Sequence, residues 1–196
     1  MPRPRTHTKT SLAASAMEVF WMQGYNATSL DDLVNATGVS RHGIYGDFGG
    51  KRELFLASLD HYREAVVTPA FEAVEADRAD LTAVAGYFEH QIQRAEELGL
   101  PGRGCLMANT MTEVAPRDDE VRKLVSAHAD RLRCGFANAL RNEAGAKPVA
   151  DLEDVAQCLA VFTQGLWSAS RVTDDAESLR RSVALMLSLV AARIEQ

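Results

Sequence analysis

Apolar residues recur at helical spacing along almost the whole chain. Before Gly24, for example, Leu12, Ala16, Val19 and Phe20 stand at positions i, i+4, i+7 and i+8, on one face of a helix. Glycine, proline or acidic turn sequences separate the segments that follow. The predicted helices cover about residues 10–24, 29–37, 40–48, 51–68, 81–98, 105–114, 120–143, 151–171 and 175–195. No parallel-strand signature accompanies them, so the sequence predicts an all-α fold of about nine helices.

Residues 28–54, TSLDDLVNATGVSRHGIYGDFGGKREL, combine helix start signals with an unusual number of glycines. Two overlapping Ser/Thr-x-x-Asp capping boxes begin at Thr28 and Ser29, and they predict the start of a short helix. Gly38 then permits a tight turn before a second short helix. Two short helices joined by a glycine-containing turn form a helix-turn-helix, so we predict this motif over about residues 29–48.

The second helix of this motif, capped by Ser40, is the one expected to enter the major groove of DNA. Ile44 and Phe48 are four residues apart, so both face the interior and anchor the helix. The N-terminal end of the helix then faces outward. The residues predicted to be presented there are Arg41, His42 and Gly43.

These residue types suit DNA contacts of different kinds. Arg41 has the forked guanidinium that pairs with O6 and N7 of guanine. Gly43 lacks a side chain, which permits a close approach of the backbone to DNA. The Tyr45 hydroxyl can donate to a phosphate, and Lys51 places a cation at the start of the next helix. The alternative is that the glycines merely end an ordinary surface helix, but the complete frame of caps, turn and anchors favours DNA binding.

The net charge of the 196 residues is −6, which by itself argues against a nucleic-acid partner. The distribution of charge changes this conclusion. Residues 1–52 carry six basic and four acidic side chains, a net charge of +2, and residues 53–196 carry −8. This asymmetry fits a DNA-binding domain of residues 1–52 followed by an acidic body of residues 53–196. The basic start RPRTHTK, residues 3–9, is either an arm that reaches DNA or a disordered end.

The segment AMEVFWMQGYNATSLDDLVNATGVSRHGIYGDFGGKRELF, residues 16–55, resembles the TetR/AcrR family of bacterial transcriptional regulators. The resemblance covers about the first 65 residues. It implies three DNA-binding helices, a linking fourth helix, and a variable helical body that binds a small-molecule effector. It implies that Thr28, Ser40, Tyr45 and Lys51 contact phosphates and that Arg41, His42 and Gly43 face bases. Ser29 is a further candidate DNA-binding residue. The chain departs from the family at Gly46, where many members have a bulky polar residue, and carries an acidic residue, Asp47, close to the phosphates.

The same resemblance implies a homodimer formed by the last two helices. Gly165 allows close approach of two helices beside the large side chains of Leu166 and Trp167. The predicted interface residues are Gly165, Leu166, Leu185 and Leu189. A twofold dimer on double-stranded DNA implies a pseudo-palindromic operator. The alternative is that both helices belong only to the core of a single chain.

A second distinctive stretch, GRGCLMANTMTEVAPRDDEVRKLV, covers residues 102–125. Cys105, Asn109 and Glu113 lie along one helix face, and this GCL…N…E pattern resembles a subgroup of the family in which the cysteine sometimes senses oxidants or electrophiles. The helix dipole and nearby Arg103 would favour the thiolate. Free cysteine is more often a small apolar filler, however. Asn109 and Glu113 more often bind a loop or a neighbouring helix than a ligand.

A ligand pocket is expected between the helices of the body. Its candidate lining residues are Tyr87, Phe88, Cys105, Met107, Asn109, Met111, His128, Phe162 and Trp167. Aromatic and apolar rows of this kind are also typical of an ordinary core. The five histidines show no HxxxH or HExxH spacing, so the sequence predicts neither a metal site nor a cofactor.

Composition narrows the remaining classes. With 46% hydrophobic and 24% charged residues the chain is globular, and no apolar run approaches the ~20 residues of a membrane span. Three widely spaced cysteines and the lack of a secretory signal predict a cytoplasmic protein. We therefore predict a ligand-responsive repressor, with a Cys105 thiol switch as the alternative. A small thiol enzyme using Cys105 with His90 or His128 ranks last, because no nucleophile, base and orienting group follow in order.

Overall fold

The structure is a computed structural model that describes residues 7–146 and 151–195. Its helices are α1 (Lys9–Gln23), α2 (Leu30–Thr37), α3 (Arg41–Phe48), α4 (Lys51–Tyr62), a π-helical turn (Arg63–Val67), α5 (Thr68–Glu75), α6 (Leu81–Leu98), α7 (Leu106–Glu113), α8 (Asp119–Ala144), α9 (Leu152–Ala169) and α10 (Ala176–Glu195). All regular structure in the two described ranges is helical, which confirms the predicted all-α class. None of these helices is both long enough and apolar enough to cross a membrane. Most of the basic start at residues 3–9 lies outside the described ranges.

Within the described residues the helices form nine separate rods, because α4, the π turn and α5 are continuous. The sequence pattern predicts that this helix ends near Thr68, before Pro69, and that prediction is wrong. The π turn widens the helix, and the N–H of Thr68 donates to the carbonyl of Arg63. Pro69, the second residue of α5, follows this π turn directly, and the widened backbone there accommodates a residue that has no N–H to donate.

Local hydrogen bonds explain where the two short helices begin. The Ser29 hydroxyl accepts from the N–H of Asp32 at 3.1 Å, and the Asp32 carboxylate accepts from the N–H of Ser29 at 2.7 Å, which completes a capping box for α2. Gly38 ends α2 in the left-handed conformation, with a φ of 69°. The Ser40 hydroxyl then accepts from the N–H of Gly43 at 3.2 Å and caps α3. The predicted helix-turn-helix is confirmed.

The chain folds around two hydrophobic cores. The first core joins α1–α4 with α7 and the start of α8, and the second joins α5, α6, α8, α9 and α10. Fully buried side chains of the first core include Phe20, Leu33, Ile44, Leu54 and Phe55, and those of the second include Phe71, Phe88, Leu132 and Phe136. Helix α7 therefore packs with the DNA-binding helices, although it follows α6 of the body in sequence.

Candidate DNA-binding surface and effector cavity

Helix α3 has one buried side and one exposed side. Ile44 is fully buried and Phe48 is partly buried against the first core, in agreement with their spacing. On the opposite side Arg41 and His42 are exposed, and Tyr45 is 53% exposed. The helix therefore offers an open outer surface of the kind that enters a major groove. The individual contacts with DNA stay predictions.

Arg41 is held in place by an acidic residue of α2. Its Nε and Nη2 atoms donate to the two carboxylate oxygens of Asp31 at 3.0 and 2.6 Å, and this hydrogen bonding raises the pKa of Arg41. Both side chains remain largely exposed, at 60% and 65%. The pair therefore orients the guanidinium at the N-terminal end of α3, where other guanidinium N–H groups stay available for a base.

The two glycines inside α3 have different surroundings. A Cβ atom at Gly43 would lie 2.7 Å from Cγ1 of Val39, so this glycine makes room for the turn before its own helix. Close approach to DNA is therefore not needed to explain Gly43. A Cβ atom at Gly46 would meet no atom of the described chain within 4 Å. Gly46 thus leaves an open space next to the exposed Tyr45.

Thr28 lies beneath this surface rather than on it. Its side chain is 1% exposed, and its hydroxyl donates to the Gly24 carbonyl at 2.6 Å. This hydroxyl therefore closes the turn between α1 and α2, contrary to the predicted phosphate contact. Ser29 is exposed, but its hydroxyl and N–H both bond to Asp32, and these bonds lower the pKa of that carboxyl group.

Asp47, the acidic residue of α3, points away from the exposed side of the helix. Its carboxylate is buried, with Oδ2 2.8 Å from Nε2 of His7. The ammonium of Lys9 lies 5.6 Å from the centre of the Phe48 ring. The start of α1 thus packs behind α3, and the negative charge of Asp47 is kept off the predicted DNA-binding surface.

Lys51 begins α4 close to the turn between α1 and α2. Its ammonium lies 4.3 Å from the centre of the Tyr25 ring, and partial burial lowers its pKa. This contact fixes a cation next to the outer surface of the helix-turn-helix. The position suits the phosphate contact that the sequence predicts for Lys51.

Glu113, at the end of α7, holds the turn between α1 and α2. Its carboxylate oxygens accept from the N–H groups of Tyr25 and Asn26 at 3.1 and 2.7 Å. Hydrogen bonds to an ionised carboxylate are stronger than those to a neutral acceptor. The prediction that Glu113 binds a loop is confirmed. Asn109 likewise donates to a loop carbonyl, that of Arg103, at 2.9 Å.

The start of α7 and the loop before it are also attached to α1. The indole N–H of Trp21 donates to the Gly104 carbonyl at 3.0 Å. The guanidinium of Arg103 lies 3.9 Å from the centre of the Trp21 ring and pairs with Glu18. Both ends of α7 are therefore connected to the DNA-binding helices, so a shift of α7 would displace α1 and the turn between α1 and α2.

A cavity of about 290 Å³ opens beside these contacts. Its walls come from the ends of α1 and α4, the π turn, one face of α6, the loop of residues 99–104, the start of α7, and parts of α8 and α9. Four aromatic side chains line it: Trp21, Tyr62, Tyr87 and Trp167. Because α1, α4 and α7 also form the first core, an occupant of the cavity would touch the elements that position α3.

Some predicted pocket residues line this cavity and others do not. Those in the wall are Tyr87, Cys105, His128 and Trp167. Those outside it are Phe88, Met107, Asn109, Met111 and Phe162. Phe88 is fully buried in the second core and Met107 is buried in the first, so neither side chain reaches the cavity. Met111 and Phe162 pack at the edges of those cores, and Asn109 is used by the loop before α7.

The Cys105 thiol stands in the cavity wall next to Tyr62. Burial raises the pKa of this thiol, although hydrogen bonds from Tyr62 and from N–H groups in the first turn of α7 oppose the shift. The predicted gain in thiolate character is therefore wrong. Desolvation of the charged form has a larger effect here than the helix N-terminus has.

His128 stands in the same wall and has one ring nitrogen buried behind it without a partner among the described residues. Its side chain is 7% exposed, and among the described residues Nδ1 has no hydrogen-bond partner. Burial, with a smaller contribution from Arg131, lowers the pKa of His128 to about 4. The imidazole is therefore neutral near pH 7. An unpaired polar group of this kind destabilises the fold unless something bonds to it.

The last two helices expose an apolar stripe. Leu185 and Leu189 of α10 are 63% and 59% exposed, and Val161 of α9 is 58% exposed. Gly165 is exposed four residues after Val161, with open space where a Cβ atom would lie. Leu166, by contrast, is 5% exposed and packs in the second core. Its predicted place in a dimer interface is wrong, because it faces its own chain.

Several cavity residues were missed by the sequence analysis. Trp21 lies on α1, which that analysis assigned only to the DNA-binding domain. On α6, Gln91, Arg94 and Leu98 follow Tyr87 at i+4, i+7 and i+11, so they continue the face that begins there. This helical periodicity was the signal that could have identified them.

The described residues offer little for metal or disulfide chemistry. They contain no group of three or more His, Cys, Asp or Glu side chains placed to hold a metal ion. Cys105, Cys134 and Cys158 are all free thiols.

Known proteins resemble this chain over nearly its whole length. Residues 12–58 match the family of bacterial regulatory proteins, tetR family, and residues 81–186 match the tetracyclin repressor-like C-terminal domain. The HTH-type transcriptional repressor ComR of Escherichia coli (strain K12) is 30% identical over 198 residues, covering 95% of this chain and 90% of that protein. The uncharacterized HTH-type transcriptional regulator YezE of Bacillus subtilis (strain 168) is 28% identical over 182 residues, covering 89% of this chain and 92% of that protein.

The fold of this chain also matches that of a solved structure. A cysteine mutant of the TetR family transcriptional regulator CifR, complexed with 26-bp double-strand operator DNA, has a TM-score of 0.81 at 25% identity. The match covers 95% of this chain and 98% of that one. With two family matches that together span more than half of the chain, and a relative at 30% identity over nearly all of it, the chain belongs to the TetR family of bacterial transcriptional regulators, which are DNA-binding proteins and not enzymes.

Proposed function

We propose that the chain is a homodimeric cytoplasmic repressor that leaves a pseudo-palindromic operator when a small molecule enters its cavity. The two-sided helix α3 carries this proposal, because its Ile44 side is buried and its Arg41 side is open. A relative named as a repressor and a similar regulator in complex with operator DNA support it. We assign DNA binding to residues 1–52, and effector binding and dimerisation to residues 53–196.

On the DNA side, α3 enters the major groove with its N-terminal end facing the base edges. Arg41 and His42 make the base contacts, and Ser40, Tyr45 and Lys51 bind phosphates on either side. Arg41 can donate to guanine while Asp31 still accepts from part of its guanidinium, since five N–H donors are present.

The dimer forms through the apolar stripe of α9 and α10. This stripe consists of Val161, Gly165, Leu185 and Leu189, which are exposed in the single chain. A four-helix bundle of α9 and α10 from two protomers would bury it, and Gly165 allows the helices to approach closely. The twofold axis then sets the two α3 helices at a fixed separation, which the operator half-sites must match.

Release follows from the walls that the cavity shares with the DNA-binding helices. Trp21 of α1 and Tyr62 of α4 line the cavity and also pack in the first core. A ligand that binds more tightly to one arrangement of α1, α4 and α7 shifts the population toward it. If that arrangement changes the separation of the two α3 helices, affinity for the operator falls.

Selection from a random duplex library tests the proposal. We expect the purified chain to select an inverted repeat, and fluorescence polarisation on that duplex to show a steep dependence on salt. A protein with six to ten phosphate contacts loses roughly 10³-fold or more in affinity between 50 and 200 mM salt. A selected sequence without twofold symmetry, or no binding at the lower salt concentration, would contradict the proposal. Sedimentation velocity measures the oligomeric state independently of DNA binding, and we expect a dimer.

A thiol switch at Cys105 is the alternative, and one observation favours it. Cys105 lines the cavity, so a reactive compound that enters the cavity reaches its sulfur. The raised pKa of the thiol slows such a reaction. The matched variants are Cys105→Ser and Cys134→Ser, the second on an exposed cysteine. If Cys105→Ser alone abolishes oxidant-induced release from DNA, the switch is supported, and if it still releases, the switch is dismissed.

A further inference from the structure

The charges around the cavity point to the kind of ligand it accepts. Among the described residues that line it, none is acidic, and two are arginines. Arg103 is already paired with Glu18 and stacked on Trp21. Arg94 is exposed on α6 and has no ion-pair partner in the described part of the chain. A free guanidinium at the rim of an apolar cavity favours an anionic group on the ligand.

Inside this rim the wall is aromatic. The rings of Trp21 and Tyr62 meet edge to face with centroids 4.8 Å apart, and Tyr87 and Trp167 complete the wall. Such rings pack favourably against an aromatic ligand. The volume of about 290 Å³ is about twice that of an engineered cavity of ~150 Å³ that holds benzene. One ring with several substituent atoms therefore fits.

A built hydrogen-bonding group lies deeper in the wall. His128 is 7% exposed, whereas Arg94 is exposed, so the wall contains a buried polar ring as well as an exposed guanidinium. The Nδ1 atom of His128 has no partner within the described residues, and the ring is neutral near pH 7. Core histidines that serve only packing are normally hydrogen-bonded. Nδ1 itself is shielded from the cavity, so a neutral hydroxyl or carbonyl group on a ligand would bond to the other ring nitrogen, Nε2, for which no hydrogen bond is present in the described part of the chain.

We propose that the cavity binds a substituted aromatic carboxylate. Its carboxylate pairs with Arg94 at the rim, its ring lies among the four aromatic side chains, and a hydroxyl or carbonyl group at its far end bonds to His128. If the chain is the proposed repressor, this ligand is its effector. Only that role of the ligand rests on the proposed function. Binding itself is measured without DNA.

Three probes of similar shape and different charge test whether the cavity prefers an anionic ligand. The two tryptophans of the chain both line the cavity, so quenching of tryptophan fluorescence reports occupancy. The probes are 4-tert-butylbenzoate, 4-tert-butylbenzyl alcohol and 4-tert-butylbenzylammonium. We expect the benzoate to bind about fivefold more tightly than the alcohol, and the ammonium to bind most weakly. Equal affinities for benzoate and alcohol, or tightest binding of the ammonium, would overturn the proposal.

Matched variants locate the charged contact. Arg94→Gln removes the guanidinium from an exposed position, so the fold is kept, and we expect it to abolish the preference for the benzoate. Arg78→Gln is the control, because Arg78 is exposed and lies outside the cavity wall. It should retain the full preference. An unchanged preference in Arg94→Gln overturns the assignment of the carboxylate to Arg94.

A second probe pair tests the inner contact. In 4-(2-hydroxypropan-2-yl)benzoate one methyl group of the tert-butyl probe is replaced by a hydroxyl of similar size. In His128→Leu we expect the hydroxyl probe to lose about tenfold in affinity relative to the tert-butyl probe, because its buried hydroxyl has lost its partner. His128→Asn, which keeps a hydrogen-bonding group, should lose less. The same relative affinities in all three proteins would overturn the role of His128.

Operator affinity, measured by polarisation with and without the benzoate, keeps the two proposals apart. Benzoate binding that leaves operator affinity unchanged supports the ligand class and counts against ligand-driven release. Fluorescence results that reject the benzoate overturn the ligand class, even where the chain binds its operator as a repressor should.

Discussion

The DNA-binding surface and the cavity are built in opposite ways. Several polar groups of the surface are satisfied by residues close in sequence, as in the Ser29–Asp32 capping box and the Arg41–Asp31 pair. The cavity gathers residues from position 21 to position 170, and in its wall Nδ1 of His128 has no hydrogen-bond partner among the described residues. The surface is therefore formed before DNA arrives, whereas the wall of the cavity contains a buried, unsatisfied polar atom that lowers the stability of the fold.

The largest effect that we expect from this difference is a loss of stability in acid. Burial lowers the pKa of His128 to about 4, from 6.5 in the unfolded chain. Between these values the unfolded state binds more protons than the folded state, so the free energy of unfolding falls as the pH falls. The loss from this one group amounts to about 3 kcal/mol between pH 6.5 and pH 4. Urea unfolding at pH 7, 5.5 and 4.5 measures it.

Two variants assign this loss to the cavity. His128→Leu should remove most of the acid sensitivity and, at pH 7, raise the free energy of unfolding by about 1 kcal/mol, because an unsatisfied polar group is gone. His90→Gln changes an exposed histidine of α6 and should behave as the parent protein does. The pKa of Asp118, held near 2 by Arg52, contributes only below this pH range. Equal acid sensitivity in both variants would show that the cavity is not its source.

At the DNA-binding surface, by contrast, we expect a substitution to change the affinity for DNA and to leave the free energy of unfolding unchanged. We expect Arg41→Ala to lower affinity for the selected operator about 10- to 100-fold, because a bidentate base contact is lost. The free energy of unfolding should hardly change, since Arg41 and its partner Asp31 are both exposed. Polarisation and urea unfolding measure the two quantities.

Arg63→Ala is the control for this prediction. Arg63 is also exposed and also pairs with a nearby aspartate, Asp60, but it lies in the π turn, away from α3. It should keep the affinity of the parent chain for the operator. If Arg63→Ala weakens binding as much as Arg41→Ala does, the effect is one of overall charge and not of the α3 surface.

The same contrast explains what could be predicted from the sequence. The start of α2 and the turn at Gly38 depend on residues within a few positions, so their signals are visible in a single chain. The lining of the cavity depends on which face of each helix turns inward, which is a result of tertiary packing. Of two adjacent residues predicted to line it, Tyr87 lies in its wall, while Phe88 points into the second core.

Three wrong predictions have the same physical origin. Leu166 was assigned to a dimer interface because it follows Gly165, but packing turns it into its own core. Cys105 was expected to gain thiolate character at the start of α7, but burial outweighs the helix terminus. Pro69 was expected to end a helix, but the π turn before it accommodates the ring. In each case the local sequence favours the predicted outcome, but the tertiary surroundings of the residue have the larger effect on its structure or its pKa.

A smaller effect is expected where the two regions meet. Glu113→Gln removes the charge that accepts from the N–H groups of Tyr25 and Asn26. We expect the free energy of unfolding to fall by about 1 kcal/mol, because a charged acceptor is replaced by a neutral one. Hydrogen exchange of these two amides should quicken more than that of the α2 amides. Glu97→Gln, on an exposed residue of α6, is the control.

The smallest change distinguishes folding from DNA binding within α3 itself. Gly46 sits in the helix with nothing of the described chain within 4 Å of a Cβ atom, so Gly46→Ala should stabilise the protein by about 0.5–1 kcal/mol. Gly43→Ala should destabilise it, because the new methyl group meets Val39 at 2.7 Å. Thermal unfolding of the two variants measures both signs. If Gly46→Ala is more stable and still binds the operator fully, the space at Gly46 has no role in binding. If the stabilised variant loses operator affinity, that space is occupied by DNA, and the departure from the family at this position is a feature of the interface rather than of the fold.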